Sequence, residues 1–311
     1  VYVHEPVLLE AVLELLAPRG GEACLVDATL GEGGHAVAFL GRFPELTVVG
    51  VEKDGEILRR AEARLAPFGA RVRLVHASFA DFFDRWEEFS GRRPERILMD
   101  LGVSMFHFEE SGRGFSFRRD EPLDMRLDAS RGRTAAELLQ SAEEGELARI
   151  LQAYGEEPRA RRIAAAIVRH RERQGPITHS GELARVVAGA AAPEARRGRT
   201  HPATRTFQAL RIAVNGELDE LERALPAALA ALAPGGRMGV IAFHSLEDRI
   251  DKRFFRERAR ACTCPPEWPI CQCEGKSELA ILTRKPVTAG ERERRANPAS
   301  RSAKLRVVEK K

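Results

Sequence analysis

An α/β fold, with a parallel sheet covered on both faces by helices and interrupted by a separate helical lobe, is predicted by three features of the 311-residue sequence. Short β-branched runs alternate with segments of helical spacing through the first third of the chain. The strand pattern then stops, and from Thr134 to about Ala192 only helical periodicity remains. Three more strand-like runs follow, which makes seven in all. Alternating strands and helices imply parallel pairing, because parallel neighbours need a crossover and right-handed crossovers place the helices on the sheet faces.

In order, the strands are expected at Ala23 to Leu30, Leu46 to Glu52, Val72 to Ala77, Arg96 to Leu101, Arg237 to Phe243, Ala280 to Val287 and Ala303 to Val308. His35 to Arg42 and Gly55 to Leu65 read as helices, with Ile57, Leu58, Ala61 and Leu65 recurring at helical spacing. In the helical stretch, Thr134 and Glu137 make a capping box and Gly175-Pro176 breaks a later helix. From Thr206 one long amphipathic helix is expected, stepping through Phe207, Leu210, Val214, Leu218, Leu221 and Leu225 before the turn at Ala233 to Gly236. The division this implies is a discontinuous core of residues 1–105 and 206–311 around a helical insertion of residues 106–205.

A composition of 43% hydrophobic and 31% charged residues is that of a globular chain and excludes a disordered tail or a collagen. The net charge of +4 is unevenly spread: Arg249 to Lys311 carries +9 and everything before it −5. A basic terminal segment on a mildly acidic body suits a polyanionic partner, and equally a solvated Arg-rich face. No apolar run approaches the ~18 residues a membrane span needs. Val1 to Leu16 shows neither a basic leader nor a signal-peptide core, so a cytoplasmic protein without a membrane partner is expected.

In open α/β sheets ligands bind beyond the carboxyl ends of the strands. After the first strand comes Asp27-Ala28-Thr29-Leu30-Gly31-Glu32-Gly33-Gly34-His35, whose glycines allow a tight turn and close backbone approach. The second strand ends at Glu52, with Asp54 beyond, where a carboxylate can accept hydrogen bonds from both hydroxyls of a ribose. Two nucleoside cofactors suit that pair of signals. NAD requires a G-x-G-x-x-G turn for its pyrophosphate, and the third glycine is out of register here. S-adenosylmethionine has no phosphate and carries a cationic sulfonium, which fits a site bordered by Asp27, Glu52 and Asp100. The fourth strand leads into Asp100-Leu101-Gly102-Val103-Ser104, where a methyl acceptor would lie. Asp100 could hold an amine proton there and orient the nitrogen, or hold the cofactor's amino-acid end, or satisfy backbone donors.

The segments His4-Glu5-Pro6-Val7-Leu8, Asp27 to His35, Asp100 to Ser104, Gly114-Phe115-Ser116-Phe117, Pro122-Leu123-Asp124-Met125-Arg126, His201 to Ala209, Phe243-His244-Ser245-Leu246-Glu247-Asp248-Arg249, and Asn297-Pro298 with Ser300-Arg301-Ser302 run almost the length of the chain. Together they resemble the bacterial small-subunit ribosomal RNA cytosine-N4-methyltransferases, the RsmH/MraW family. The resemblance implies a class I S-adenosylmethionine-dependent methyltransferase, Rossmann-like with a seven-stranded sheet and an inserted all-helical domain for substrate recognition. It implies S-adenosylmethionine as donor and N4 of a cytidine in the decoding region of 16S rRNA as acceptor, within the small ribosomal subunit, and it leaves open whether the chain forms a homodimer. By position the cofactor contacts fall on Gly33, Gly34, His35, Glu52, Phe79, Asp100 and His107. Glu52 stands where the family usually has Asp, Met105-Phe106-His107 where Ser-x-Gln after Ser104 is commoner, and Ala242 where Ser is frequent.

In the His244 to Arg249 segment, Ser245 and Asp248 have capping-box spacing, which leaves His244 and Arg249 as the candidates for contact with the RNA strand. Arg301 and Lys304 are the further candidates, from the basic run that also includes Arg292, Arg294, Arg295 and Arg306. Cys262, Cys264, Cys271 and Cys273 have a C-x-C-x6-C-x-C pattern that departs from the usual zinc knuckle, so no metal is assigned; Cys24 is expected to be core. An NAD-linked oxidoreductase and a catalytically silent RNA-binding protein are the competing classes. The missing dinucleotide fingerprint opposes the first, and a carboxylate-lined cofactor cleft opposes the second.

Overall fold

The computed structural model describes residues 6–20, 23–90, 92–190, 201–261, 268 and 275–311. The chain divides into two compact units, Val1–Val103 with Asp219–Lys311, and Ser104–Leu218.

In the first unit seven strands, β1 (Ala23–Asp27), β2 (Leu46–Glu52), β3 (Val72–His76), β4 (Arg96–Asp100), β5 (Arg237–Ala242), β6 (Leu279–Ile281) and β7 (Lys304–Lys310), form one sheet. Their spatial order is β3-β2-β1-β4-β5-β7-β6. The first five strands are parallel, and β7 runs antiparallel to both β5 and β6. β6 ends at Ile281 and does not continue to Val287 as expected. Leu282 and Thr283 still bond the Val307 carbonyl, but Pro286 cannot donate to a ladder, and the chain returns to β7 through an isolated bridge between Val287 and Leu305.

Both faces of the sheet are covered, so its central strands are nearly continuous apolar runs, while β3 at one edge and β7 near the other also carry charged residues. On one face Val26, Val51, Met99 and Val240 share a core with Phe82 of α4 (Phe79–Asp84), Leu225 of α12 (Glu217–Ala231) and Phe255 of α13 (Ser245–Ala259). Cys24 is buried in the same core, as expected. On the other face Leu25, Val48, Leu98 and Ile241 pack with Leu13 of α1 (Leu9–Leu15), Phe39 of α2 (Gly34–Arg42) and Ala61 of α3 (Gly55–Leu65). Neighbours such as Leu25 and Val26 thus serve opposite faces, as the two-residue period of a strand demands. The short helices α5 (Trp86–Ser90) and α14 (Glu291–Ala296) complete this unit. At the amino end of β4 the buried Arg96 guanidinium donates to the Leu16 carbonyl at 3.0 Å and the Ala17 carbonyl at 2.7 Å, tying the end of α1 to the sheet.

The second unit is helical: α6 (Met105–Glu109), α7 (Ala135–Ser141), α8 (Glu144–Gly155), α9 (Ala160–Gln174), α10 (Ser180–Ala190) and α11 (Thr204–Asn215). The expected capping box starts α7, with Thr134 Oγ1 accepting from Glu137 N–H at 3.1 Å and Glu137 Oε2 from Thr134 N–H at 2.7 Å. α9 ends at Gln174 with Gly175 as its cap. α8 packs on α9 and α11, and α9 on α10. Asn215 closes α11 by donating from Nδ2 to the Met125 carbonyl and accepting at Oδ1 from Leu127 N–H, both at 2.8 Å. That contact fixes the Pro122 to Arg126 segment, in which Arg126 makes a two-pronged pair with Asp124.

The helix expected to run unbroken from Thr206 is therefore two, α11 and α12, separated by Gly216 at φ 62°. Glycine adopts that left-handed conformation without a Cβ clash. Apolar spacing continues from Val214 to Leu218 across the break, which is why periodicity concealed it. The same break moves the second division of the chain from residue 205 to Leu218, whereas the first falls at Val103. No helix among the described residues is long and apolar enough to cross a membrane.

Candidate active site

The strand order reverses between β1 and β4, and the loops leaving the carboxyl ends of β1, β2, β4 and β5 converge in the sheet unit. Glu52 braces the turn after β1: its Oε2 accepts from Gly31 N–H at 2.9 Å and its Oε1 from Asp54 N–H at 2.8 Å. Thr29 Oγ1 in that turn accepts from Asp100 N–H at 2.6 Å, linking the ends of β1 and β4. Asp54 caps α3, its Oδ1 accepting from Glu56 N–H at 2.8 Å.

Gly33 caps α2 in the left-handed region at φ 78°. A Cβ on Gly34 would lie 2.7 Å from Pro6 Cγ, because the Pro6-Val7 segment lies against this turn. His35 Nε2 lies 3.1 Å from the Val7 carbonyl, which makes that nitrogen the protonated one. The N-terminal motif and the glycine turn are thus one packed assembly. Gly34→Ala is expected to destabilise the protein by about 1–3 kcal/mol through overpacking and to weaken cofactor binding together with it. Thermal unfolding and calorimetry on this variant check the expectation, and an unchanged melting temperature would refute it.

Two carboxylates, the buried Asp27 and the half-buried Asp100, face this assembly. Neither oxygen of Asp27 has a hydrogen-bond partner, although the Thr29 N–H lies nearby, and Asp100 Oδ1 is likewise unpartnered. Desolvation pushes the Asp27 carboxyl up to about 7; the Thr29 N–H opposes this and Glu52 reinforces it. Desolvation, with Asp27 and then Glu247, raises the Asp100 carboxyl well above the usual carboxylate range. Burial pushes His35 down to about 4 against the pull of the Val7 carbonyl, so the ring is neutral. Its Nδ1 lies 3.7 Å from Asp100 Oδ2. With Nε2 protonated, Nδ1 offers only a lone pair to that oxygen, an arrangement that favours a protonated Asp100 until a cation arrives.

Phe79 opens α4 immediately beyond β3 and is partly buried against the sheet core. Gly33, Gly34, His35, Glu52, Phe79 and Asp100 accordingly all lie in the sheet unit. His107 belongs to the helical unit, where it is buried between Phe106 and Phe115, with ring centroids 5.7 and 4.9 Å away.

After β5 the cap of α13 is His244, one residue before the expected Ser245, and its capping partner is Glu247, not Asp248. Glu247 Oε2 accepts from Phe243 N–H at 2.8 Å and Oε1 lies 3.1 Å from His244 Nε2. The His244 Nδ1 thus caps the helix by accepting from Glu247 N–H at 3.5 Å. Arg249 and Arg301 are exposed. Lys304 Nζ donates to Asp248 Oδ2 at 2.9 Å, and Arg306 bonds Asp248 Oδ1 through Nε and Nη2 at 2.9 and 2.8 Å. Lys304 thus already has a carboxylate, which the charge count could not reveal. Sequence reasoning missed Glu247, whose spacing from His244 was its only signal. Cys262, Cys264, Cys271 and Cys273 lie outside the described residues.

A sheet of this order with an antiparallel last hairpin, a glycine turn after β1 and carboxylates at the ends of β1 and β4 defines a class I S-adenosylmethionine-dependent methyltransferase. The chain belongs to the MraW methylase family, whose profile matches residues 1–311. It is 51% identical over 308 residues to the ribosomal RNA small subunit methyltransferase H of Treponema denticola, covering 99% of this chain and 97% of that protein. It is 49% identical over 312 residues to the protein of the same name from Heliobacterium modesticaldum, covering 100% and 99%. Among solved structures it is similar to TrmN from Thermus thermophilus at 14% identity and TM-score 0.44, over 98% of this chain and 48% of that one. NSun6 from Pyrococcus horikoshii with SFG is similar at 11% identity and TM-score 0.42, over 98% and 52%.

Proposed function

We propose that this protein methylates N4 of a cytidine in the decoding region of 16S rRNA, in the assembling or assembled small subunit. It is an S-adenosylmethionine-dependent methyltransferase acting on small-subunit ribosomal RNA, the activity carried in the names of relatives that match nearly its whole length. The observation that carries the chemical reading is a pair of carboxylates at the switch point of the sheet, the buried Asp27 with neither oxygen hydrogen-bonded and the half-buried Asp100 with its Oδ1 buried and unpartnered. An uncompensated buried charge is costly, and a ligand bearing both an ammonium and a sulfonium relieves it. A dinucleotide would bring its pyrophosphate against the same carboxylates, so the geometry favours the cationic cofactor over NAD.

Gly33 and Gly34 give the backbone its close approach to the ligand, Glu52 meets the ribose, Phe79 flanks the adenine, and His35 and Asp100 border the amino-acid end and the transfer site. His107 is assigned to the cofactor by family position. S-adenosylmethionine supplies an electrophilic methyl group on a cationic sulfur. Asp100 accepts a hydrogen bond from the exocyclic amine, aims the nitrogen lone pair and takes the proton that nitrogen sheds as the N–C bond forms and the S–C bond breaks. The helical unit serves recognition of the RNA. Transfer of labelled methyl to small subunits lacking the modification, with the product nucleoside identified, tests the whole reading; a modified base other than N4-methylcytidine would overturn it.

Cofactor binding is also expected to release protons. At neutral pH the apo protein holds Asp27 partly protonated at about 7, and a cationic ligand favours the ionised form. Affinity for S-adenosylmethionine therefore rises as pH increases through 7 and levels off above it. Calorimetry in buffers of different ionisation enthalpy should show up to about two protons released per site near pH 6.5, one each from Asp27 and Asp100, and less with S-adenosylhomocysteine, which lacks the sulfonium charge. Zero release with either ligand would separate these carboxylates from the cofactor.

A further inference from the structure

The face of α13 that turns toward the β6 edge carries a second site. Lys252 and Arg256, one helical turn apart, line an open cleft of about 310 Å³ together with Arg284, which follows β6, and Arg306 of β7. Phe255 and Thr283 contribute to its walls, and no acidic residue lines it. Arg306 is neutralised by Asp248 at 2.8 Å, with Asp251 3.7 Å away. Among the described residues no carboxylate pairs with Lys252, Arg256 or Arg284.

Like charges at i and i+4 on a helix repel, and a third unpaired cation facing them across a cleft adds to the cost. Two other exposed arginines of the same helix have acidic partners, Arg253 with Glu222 and Arg258 with Glu278. The contrast lies within a single helix: Arg253 and Arg258, directed elsewhere, are matched, while Lys252 and Arg256 are not. Thr283 Oγ1 accepts from Val307 N–H at 2.8 Å, so its hydroxyl proton is left to donate to an anion.

We propose that this cleft seats a phosphodiester of the RNA substrate, held by Lys252, Arg256 and Arg284. The inference deepens the ribosomal RNA reading above and rests on it. β6 runs parallel to β5, both being antiparallel to β7, and Ile281 lies level through Val308 and Met238 with Ile97, three residues before Asp100, so Arg284 follows β6 on the way toward the carboxyl edge. Three interstrand steps of about 4.8 Å and three residues of about 3.3 Å along the strand put the end of β6 roughly 17 Å across the sheet from Asp100. A backbone contact at that position fixes the register of the strand without reading its bases. The cleft also explains how the basic terminal segment divides: Lys304 and Arg306 hold α13 to β7 through Asp248, while Lys252, Arg256 and Arg284 stay available.

The test is binding of a small-subunit rRNA fragment to the full chain across a salt titration, for the wild type and for Arg256→Ala with Arg284→Ala. Affinity should fall about tenfold per removed contact, and the slope of log affinity against log salt should become shallower by about 1 for the phosphate lost. The loss should be the same for cognate and unrelated RNA of equal length. Affinity for S-adenosylmethionine should not change, and Arg256→Lys with Arg284→Lys should keep most of the salt slope. Equal RNA affinity and slope in the alanine variant would overturn the proposal, as would loss of the slope in the lysine variant. A wild-type protein that neither binds nor methylates small-subunit rRNA would remove the substrate reading and the cleft with it. A wild-type protein that does both, unaffected by the alanine changes, would remove the cleft alone.

Discussion

Asp100→Asn is expected to lower single-turnover methyl transfer by roughly two to three orders of magnitude with S-adenosylmethionine saturating, the range for loss of one well-placed electrostatic group. The residue is held through its main chain, whose N–H donates to Thr29 Oγ1 at 2.6 Å, and its Oδ2 lies 3.7 Å from His35 Nδ1. Asparagine keeps the volume and one acceptor oxygen but cannot take the proton that the amine sheds. In the apo state desolvation, Asp27 and Glu247 favour protonated Asp100, so cationic cofactor binding converts it into a proton acceptor as the electrophile arrives. The variant should therefore lose the part of the pH dependence of methyl transfer that comes from ionisation of residue 100. A cofactor-binding defect is rescued by concentration, whereas a transition-state defect is not. Full rescue at high S-adenosylmethionine would reduce Asp100 to a cofactor ligand.

What could be read in the sequence depended on the range of the interaction behind each signal. β2 and α3 have their expected ends at Leu46–Glu52 and Gly55–Leu65, because strand burial and helix capping by Asp54 are local. The errors lie where a local pattern had two solutions. Apolar spacing ran through Gly216, where only the backbone conformation marks the break. Ser245 and His244 both offer a cap, and Glu247, bonded to Phe243 N–H, decides for His244. Asp27 and Asp100 were legible as strand-end carboxylates. Their lack of partners was not, since it depends on which loops converge. The same holds for Pro6 against Gly34, a contact between segments that no spacing rule connects. Net charge located the basic segment and gave its sign. It could not show that Lys304 is spent on Asp248 while Arg256 and Arg284 are not.

Asp27→Asn is expected to change how stability varies with pH, and to do so in opposite senses with and without cofactor. Burial in the folded chain raises the Asp27 carboxyl from its ordinary value of 3.8 to about 7, chiefly by desolvation. For an acid displaced upward the protonated form is favoured in the folded state, so the wild type is least penalised below about 4 and loses stability as pH rises toward 7. At about 1.4 kcal/mol for each tenfold change in proton affinity the full penalty is a few kcal/mol, large beside the stability of a typical domain. The variant lacks that ionisation. Its stability relative to the wild type should therefore improve by a few kcal/mol between about pH 4 and about pH 8, whatever constant cost the buried amide imposes at both ends. Saturating S-adenosylmethionine supplies positive charge that the ionised wild-type carboxylate can meet and the amide cannot. Under that condition the trend should invert, with the wild type gaining more from the ligand at about pH 8 than the variant does. Thermal unfolding of both proteins at several pH values, with and without ligand, measures both arms. Parallel pH profiles in the absence of ligand would show that Asp27 ionises as freely in the folded chain as in the unfolded one, and the electrostatic account of the cofactor site would fall with it.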